Sequence, residues 1–487
     1  MKHPIITKLF TTLCCGILLL SIFTEPLFAN SAQARWDGVT STGMIITEEN
    51  CPIEVEKEVL TLDIQEFPQN HYQTNEEFLH YTGKVTAEYT FYNPANYTVT
   101  ATLVFPFGSL PDYANVWDHD TGEYINASDT EKYNITVNGK QVETRIRHTL
   151  SSMNYFALED DLPKLVDGYM KDSFFTEDLK VTIYHYDISG IPDKYHTAAT
   201  IGFVWNGNND KTRILLKDQS GYEALDDGLL INTWAKNGNT ETIYFFGEVP
   251  ETGIEWKVYE NGACKKEIAG TVTCNEAKSQ TMTFKEFALQ NYNAASGISE
   301  SDWYNAMIFQ LNEGKYDWSY GAIQLYNTSF DFTNSLMRWY EYDITIEPHS
   351  KIVNTVTAPI YPAIKLDYEP AIFDYTYLLS PAKSWADFGN LEIQINTPYY
   401  ILENEVEGFT KTETGYTLSR DGLPNEELKF TLCSAEKTTR PLYKGSIYYT
   451  RLINALIIIL LICIAVTAFV IIRRRKRRTD PQHKWFN

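Results

Sequence analysis

The stretch DHDTGE, Asp118 to Glu123, places three carboxylates within six residues. Asp120-Thr121-Gly122 would suit hydrolysis by a pair of aspartates that share a proton and activate water. That chemistry needs an apolar strand running into the aspartate and a second copy of the tripeptide. Here Asp118 and His119 precede it, the chain has no second DTG, and the segment reads as a polar turn. The same three carboxylates, Asp118, Asp120 and Glu123, could cradle calcium, a hard cation that takes several oxygen ligands, although their spacing departs from the EF-hand loop. This weak cation loop is the single binding candidate in the sequence, and no other cofactor or metal is expected.

Other catalytic signatures are missing. The chain has no HExxH, GxSxG, GxxxxGK or GxGxxG, so neither zinc hydrolysis, a nucleophile elbow nor a phosphate-cradling loop is indicated. His185 lies in a strand-like run and reads as a packed or surface residue rather than a base. No CxxC spacing marks a metal site.

Two apolar segments fix where any site would stand. Leu9 to Phe23 follows Lys2 and Lys8 and precedes SAQA, the pattern of a secretory signal peptide cleaved after Ala34 (residues 1–34). Leu452 to Ile472 holds no charged residue and is long enough as a helix to cross the bilayer core. Six basic residues, Arg473 to Arg478, follow at once and mark the cytoplasmic side. The expectation is a single-pass protein of the cell membrane, its N-terminal part extracellular, a stalk over 434–451 and a short basic tail over 473–487.

Between residues 35 and 450 the chain carries 31 basic and 61 acidic residues, a net charge of −30. Such an exterior repels nucleic acid and predicts basic partners held in a salt-sensitive way. Four cysteines remain there, Cys51, Cys264, Cys274 and Cys433. In an exported chain an even count suggests bridges, and four cysteines allow three pairings. The expectation is Cys264–Cys274 closing a local hairpin and, by elimination, Cys51–Cys433 clipping the two ends.

Strand patterns dominate this exterior. Val85, Ala87, Tyr89 and Phe91 alternate with polar residues, and after the Asn93-Pro94-Ala95-Asn96 turn the period resumes through Phe105, which predicts a hairpin. YNITVNGKQV centres on Asn138-Gly139, the preferred pair for a type I′ turn, and predicts Ile135 opposite Val142. Ile53 to Ile64 adds one or two strands. Residues 35–150 therefore read as an N-terminal β-sandwich.

The region 151–335 is mixed α+β. Leu158, Leu162, Leu165, Val166 and Tyr169 fall at helical spacing over Ala157 to Lys171, while Thr283 with Glu286 and Ser299 with Asp302 read as caps of two helices. From Arg338 strands return, including Tyr340 to Ile346, the EPHSK turn and IVNTVTA, so residues 336–433 read as a C-terminal β-sandwich. The fold class expected is mainly β: two antiparallel β-sandwich-like domains with a mixed helical central insertion, plus one C-terminal transmembrane helix.

Three blocks, GKVTAEYTFYNPANYTVTATLVFPFG, YNITVNGKQV and YLLSPAKSWADFGNLEIQI, together resemble a family of exported bacterial proteins known only as a domain of unknown function. The resemblance rests on Phe105-Pro106-Phe107 at the end of the first block and Trp385 before the inner strand of the last. It implies an N-terminal and a C-terminal sandwich and export, and carries no activity. The long central insertion and the membrane anchor are departures from it.

The chain holds 33 Tyr and 10 Trp, and aromatic faces left exposed on a sheet can stack on sugars or anchor proteins. The reading is an anchored binding or scaffold protein of the bacterial envelope that recognises a protein or an envelope polymer, not nucleic acid. An envelope hydrolase with a site assembled from distant residues, and a structural spacer, are the alternatives.

Overall fold

The computed structural model describes residues 40–42, 45–46 and 51–440, with breaks at 70–71, 108–109, 112, 120–121, 127, 151–157, 251–252, 318–319, 326–327 and 333–335, together with residue 469. The signal peptide and the tail lie outside these residues, as does the predicted span 452–472 apart from Phe469. No helix among the described residues is long and apolar enough to cross a membrane. The fold is mainly β and is built on several sheets.

The chain opens with β1 (Thr40–Thr42), β2 (Ile45–Ile46), β3 (Glu54–Asp63), α1 (Asn75–Tyr81), β4 (Gly83–Tyr92) and β5 (Val99–Phe107). It continues with β6 (Asn115–Asp118), β7 (Glu123–Asn126), β8 (Asn134–Val137), β9 (Lys140–Gln141) and β10 (Arg145–Leu150). The alternation in β4 is real, with Val85, Ala87, Tyr89 and Phe91 buried and Lys84 and Glu88 exposed. The hairpin expected from it is not formed. β4 pairs with β3, whereas β5 pairs with β2, and the Asn93 turn is an arch that carries the chain from one sheet to another. Period-two burial says which face of a strand is covered, and arch and hairpin bury the same residues. The Asn138-Gly139 hairpin does form: both residues have positive φ, 49° and 73°, and the Val142 N–H donates to the Ile135 carbonyl at 3.2 Å.

The C-terminal strands are β22 (Leu336–Ile346), β23 (Lys351–Ile360), β24 (Ala363–Lys365), β25 (Ile372–Leu378), β26 (Phe388–Asn396), β27 (Tyr400–Asn404), β28 (Thr410–Lys411), β29 (Gly415–Asp421) and β30 (Leu428–Cys433). They do not build a sandwich of their own. An eight-stranded sheet runs β28-β29-β26-β3-β4-β23-β8-β9, and a four-stranded one runs β10-β22-β5-β2. A third sheet follows the path β1-β25-β30-β27 with β24 on β25. Each mixes strands from 35–150 and 336–433, so the two expected sandwiches are one interleaved structure. Its core is continuous, joining Ile53, Phe91, Leu103, Ile344, Tyr375, Ile393 and Leu432. Side-chain patterns along two distant segments do not reveal that they complete each other's sheets.

β22 and β23 are joined by a second arch, and Asn93 ties the two arches together. Fully buried, its Nδ2 donates to the carbonyls of Tyr97 and Ile346, each at 2.9 Å, and Glu347 at 3.3 Å. Its own N–H donates to the Ser350 carbonyl at 3.0 Å. Buried arch carbonyls that no ladder satisfies are thus paired.

Residues 151–335 are inserted between two strands that pair with each other, Leu150 opposite Leu336 at the last position of the register. The insertion contains α2 (Leu158–Asp161), β11 (Lys180–Ser189), β12 (Thr200–Trp205), β13 (Thr212–Leu216), β14 (Gly221–Leu225), β15 (Gly228–Trp234), β16 (Thr240–Gly247) and β17 (Lys257–Tyr259). β18 (Thr271–Cys274), β19 (Gln280–Thr283), α3 (Phe284–Ala288), α4 (Glu300–Glu313), β20 (Lys315–Asp317) and β21 (Ala322–Ile323) follow. One sheet runs β18-β11-β16-β13-β21-β20 with β19 on β11; the other runs β14-β15-β12-β17. Phe203, Trp205, Ile231, Ile243 and Phe245 fill the space between them, while α3 and α4 pack Phe284, Trp303 and Met307 with Val181, Leu215 and Phe246 of the first sheet. The expected helix over Ala157 to Lys171 shrinks to α2 and a 3-10 turn, Leu162–Lys164, because Pro163 removes a donor inside it. The two predicted caps are present: Thr283 and Glu286 form a reciprocal capping box, and the Ser299 side chain accepts from the Asp302 N–H.

Candidate functional site

The predicted cation loop is the tip of a two-stranded ribbon. Asp118 ends β6 directly opposite Glu123, the first residue of β7, Gly122 turns with φ 70°, and Asp120 lies outside the described residues. Among the described residues, no group of three or more His, Cys, Asp or Glu could hold a metal ion. His185 is a packed residue, its Nδ1 3.0 Å from Thr242 Oγ1.

Neither expected disulfide is formed. The hairpin after β17 closes before Cys274, with the Ile268 N–H donating to Val258 and Glu260 to Lys266. Cys264 and Cys274 are thiols on different sheets: Cys264 follows β17 of the four-stranded sheet, and Cys274 sits opposite Tyr186 on β11. Cys433 is a buried thiol opposite Ile372 and Tyr400, four residues beyond the Asn396 end of β26. Cys51 precedes β3, which enters beside Phe388 at the other end of β26. A strand of that length, about 27 Å, exceeds the reach of a disulfide.

Two carboxylic acids are strongly perturbed. Burial pushes Glu58 and Glu241 each up to about 7, Glu58 with Tyr89 as a hydrogen-bond partner and Glu241 beside Asp218. Acids near neutrality suit proton transfer, but Glu58 is 1% exposed inside the sandwich core, where no substrate reaches it. Burial also pushes the His148 imidazole down to about 4, so it is neutral near pH 7.

A charged joint holds the insertion on the sandwich. Arg147 of β10 reaches Asp302 of α4 (Nε–Oδ1 3.3 Å), Glu341 of β22 (Nη1–Oε2 3.0 Å) and Asp167 (Nη1–Oδ1 3.1 Å), and donates to the Val166 carbonyl at 2.7 Å. Arg145 also pairs with Glu341. Asp302 accepts the His148 N–H at 2.9 Å. With its hydrogen bonds satisfied, this cluster fixes orientation rather than performing chemistry.

Exposed aromatic and apolar residues lie instead on the four-stranded sheet β14-β15-β12-β17. Its inner residues face the core, and the register therefore sends Thr200, Gly202 and Val204 outward on β12, and Leu230, Asn232 and Trp234 on β15. Glu223 and Leu225 of β14, and Lys257 and Tyr259 of β17, share that face. Trp234 is 57% and Val204 53% exposed, whereas Thr200, Leu230, Asn232 and Tyr259 on the same face are buried. Tyr222 and Leu225, at the edge, are exposed as well. Half-buried Cys264 sits close enough to Glu223 for that carboxylate, after burial, to raise the thiol pKa.

One row across the strands reads Lys257, Gly202, Asn232, Gly221, with a larger row on each side: Tyr259, Thr200, Trp234 and Val204, Leu230, Glu223. Gly202 and Gly221 leave Asn232 without side-chain neighbours along its own row. A Cβ at Gly221 would meet Asn232 Oδ1 at 3.2 Å, and one at Gly202 the Ile231 carbonyl at 3.1 Å. The Asn232 carboxamide forms no hydrogen bond with the described residues. The sequence reading passed over GLLINTW; its signal is the alternation of Leu230, Asn232 and Trp234, a polar amide and an aromatic on one face of a strand.

No family model matches the chain, and no curated protein matches it. Among solved structures, a Legionella pneumophila protein described as nutrient-binding is similar over 81% of this chain and 70% of its own, at 11% identity and a TM-score of 0.27, a likeness that carries no argument.

Proposed function

We propose that this chain is an exported, membrane-anchored binding protein of the bacterial cell envelope, which holds an envelope component on the outer face of β14-β15-β12-β17. The observation that carries the reading is the exposure of Trp234, Val204 and Leu225 on this one face. Aromatic residues at such positions are the usual anchors of recognition. Export and anchoring rest on the sequence, on Leu9 to Phe23 and on Leu452 to Ile472 with its basic flank. The buried Arg147 joint supports the reading, because a face held at fixed orientation loses less entropy on binding.

The face also changes the expected electrostatics. Its outward residues include one carboxylate, Glu223, and one ammonium, Lys257, which is paired with Glu267 at 2.7 Å. Binding there should depend weakly on salt, unlike attraction to the acidic exterior as a whole. The test is capture of envelope material by the full-length protein in detergent, compared with Trp234→Ala and Val204→Glu. Loss of capture in both variants, with unchanged thermal unfolding, is the expected result; capture that ignores both would overturn the reading.

A further inference from the structure

The chain holds four Asn-Gly pairs, beginning at Asn138, Asn206, Asn237 and Asn261. Glycine lacks a Cβ, so little shields its backbone nitrogen from the asparagine side chain before it. In three pairs that side chain is fixed. Asn138 Oδ1 accepts the Val353 N–H at 2.9 Å, and Asn261 Oδ1 accepts the Ala263 N–H at 3.0 Å. Asn237 is held at both ends, Oδ1 accepting from the Ile191 N–H at 2.9 Å and Nδ2 donating to the Ile191 carbonyl at 2.8 Å, while the Gly238 N–H donates to the Ile188 carbonyl at 2.9 Å. Asn206 differs. It is exposed one residue past β12, its carboxamide forms no hydrogen bond with the described residues, and the Gly207 N–H donates to none of them. We infer that Asn206-Gly207 is the site at which this chain deamidates spontaneously, a covalent modification that needs only water.

The step balances without a catalyst. The Gly207 nitrogen gives its proton to solvent base and attacks Asn206 Cγ; the new C–N bond closes a cyclic imide, and the carboxamide nitrogen takes up a proton and leaves as ammonia. Water then opens the ring. Cleavage of the new bond gives an aspartate, and cleavage of the original peptide bond gives an isoaspartate, whose side-chain carbonyl now carries the main chain and lengthens it by a carbon. Packing makes that carbon consequential. Gly207 lies against the Trp205 indole, where a Cβ would meet ring carbon Cζ2 at 2.1 Å, and Trp205 Nε1 donates to the Tyr320 carbonyl at 2.7 Å. The same contact excludes any residue but glycine, so the packing of Trp205 preserves the reactive pair. A main chain lengthened just before Gly207 pushes it off the ring, and the isoaspartyl product is therefore less stable than the parent, whereas the aspartyl product keeps the contact.

The test incubates the full-length protein in detergent in mildly alkaline buffer and digests samples over time. Mass spectrometry reads deamidation of each pair as a gain of about 1 Da, and the same chain unfolded in urea supplies the rate of each pair without structure. In urea the four pairs should convert at similar rates. In the folded protein Asn206 should convert at least about tenfold faster than Asn138, Asn237 and Asn261, whose carboxamides must first break their hydrogen bonds. Asn206→Gln, which would have to close a larger ring, should abolish the fast conversion and leave thermal unfolding unchanged. The isoaspartyl fraction, separated by chromatography, should unfold at a lower temperature than Asn206→Asp. Another pair converting ahead of Asn206 in the folded protein, or all four converting at one rate there, would overturn the inference; an isoaspartyl fraction as stable as the parent would overturn the part assigned to Trp205.

Discussion

Arg147 and Asp302 form a buried ion pair across the joint between sandwich and insertion, Nε 3.3 Å from Oδ1 with side chains 10% and 3% exposed. Asp302→Ala leaves Arg147 with Glu341 and Asp167 but removes the acceptor of the His148 N–H. The expected cost is about 1 to 3 kcal/mol, that of a buried donor left without its acceptor, read as a lower unfolding midpoint and faster hydrogen exchange in β10 and α4. Replacing both partners with apolar residues of similar volume should cost less than the single change.

Leu150 faces Leu336 where the insertion leaves and returns. Joining these strands by a short Gly/Ser linker in place of residues 151–335 should leave a sandwich that unfolds cooperatively, since its core is built from both flanking segments. That shortened chain should capture no envelope material. Circular dichroism and thermal unfolding check the first expectation; failure to fold would mean that the insertion is part of the folding unit.

Glu58 gives the fold a pH dependence. Its pKa rises from 4.5 to about 7 on folding, so between these values the native state holds a proton that the unfolded chain has released. Stability from this group is therefore lost as pH rises from about 4.5 to 7 and is constant above. Glu58→Gln should stabilise the protein by about 3 kcal/mol above pH 7 and have little effect below pH 4.5. Denaturant titrations at pH 4 and pH 8 distinguish this from a pH-independent packing effect.

Asn93 holds four arch carbonyls, those of Tyr97, Ile346, Glu347 and, through its own N–H, Ser350. Asn93→Ala removes the side-chain donor and leaves buried carbonyls unpaired, at a cost of about 2 to 3 kcal/mol. Equilibrium unfolding measures it, and Asn93→Asp should be no better, because a carboxylate cannot donate.

These residues also show what the sequence made legible. The strands, their buried faces, the Asn138-Gly139 turn and the caps at Thr283 and Ser299 follow from local chemistry. Partners do not: Phe91 and Val99 flank a turn that reads as a hairpin, yet their strands lie in different sheets, because β23 and β22 supply their neighbours from more than 200 residues away. The split of 35–150 from 336–433 into two sandwiches failed for the same reason. Cysteine parity suggested bridges that the strand register separates. The exposed pair Trp234 and Val204 was hidden because only register sets them on one face.

The central claim is that the face bearing Trp234 binds. The most direct measurement compares capture of envelope material by the full-length protein and by Trp234→Ala at low and high salt. The account predicts capture that persists in high salt and is lost with the indole. Capture that vanishes in salt but survives Trp234→Ala would assign binding to the acidic surface and contradict it.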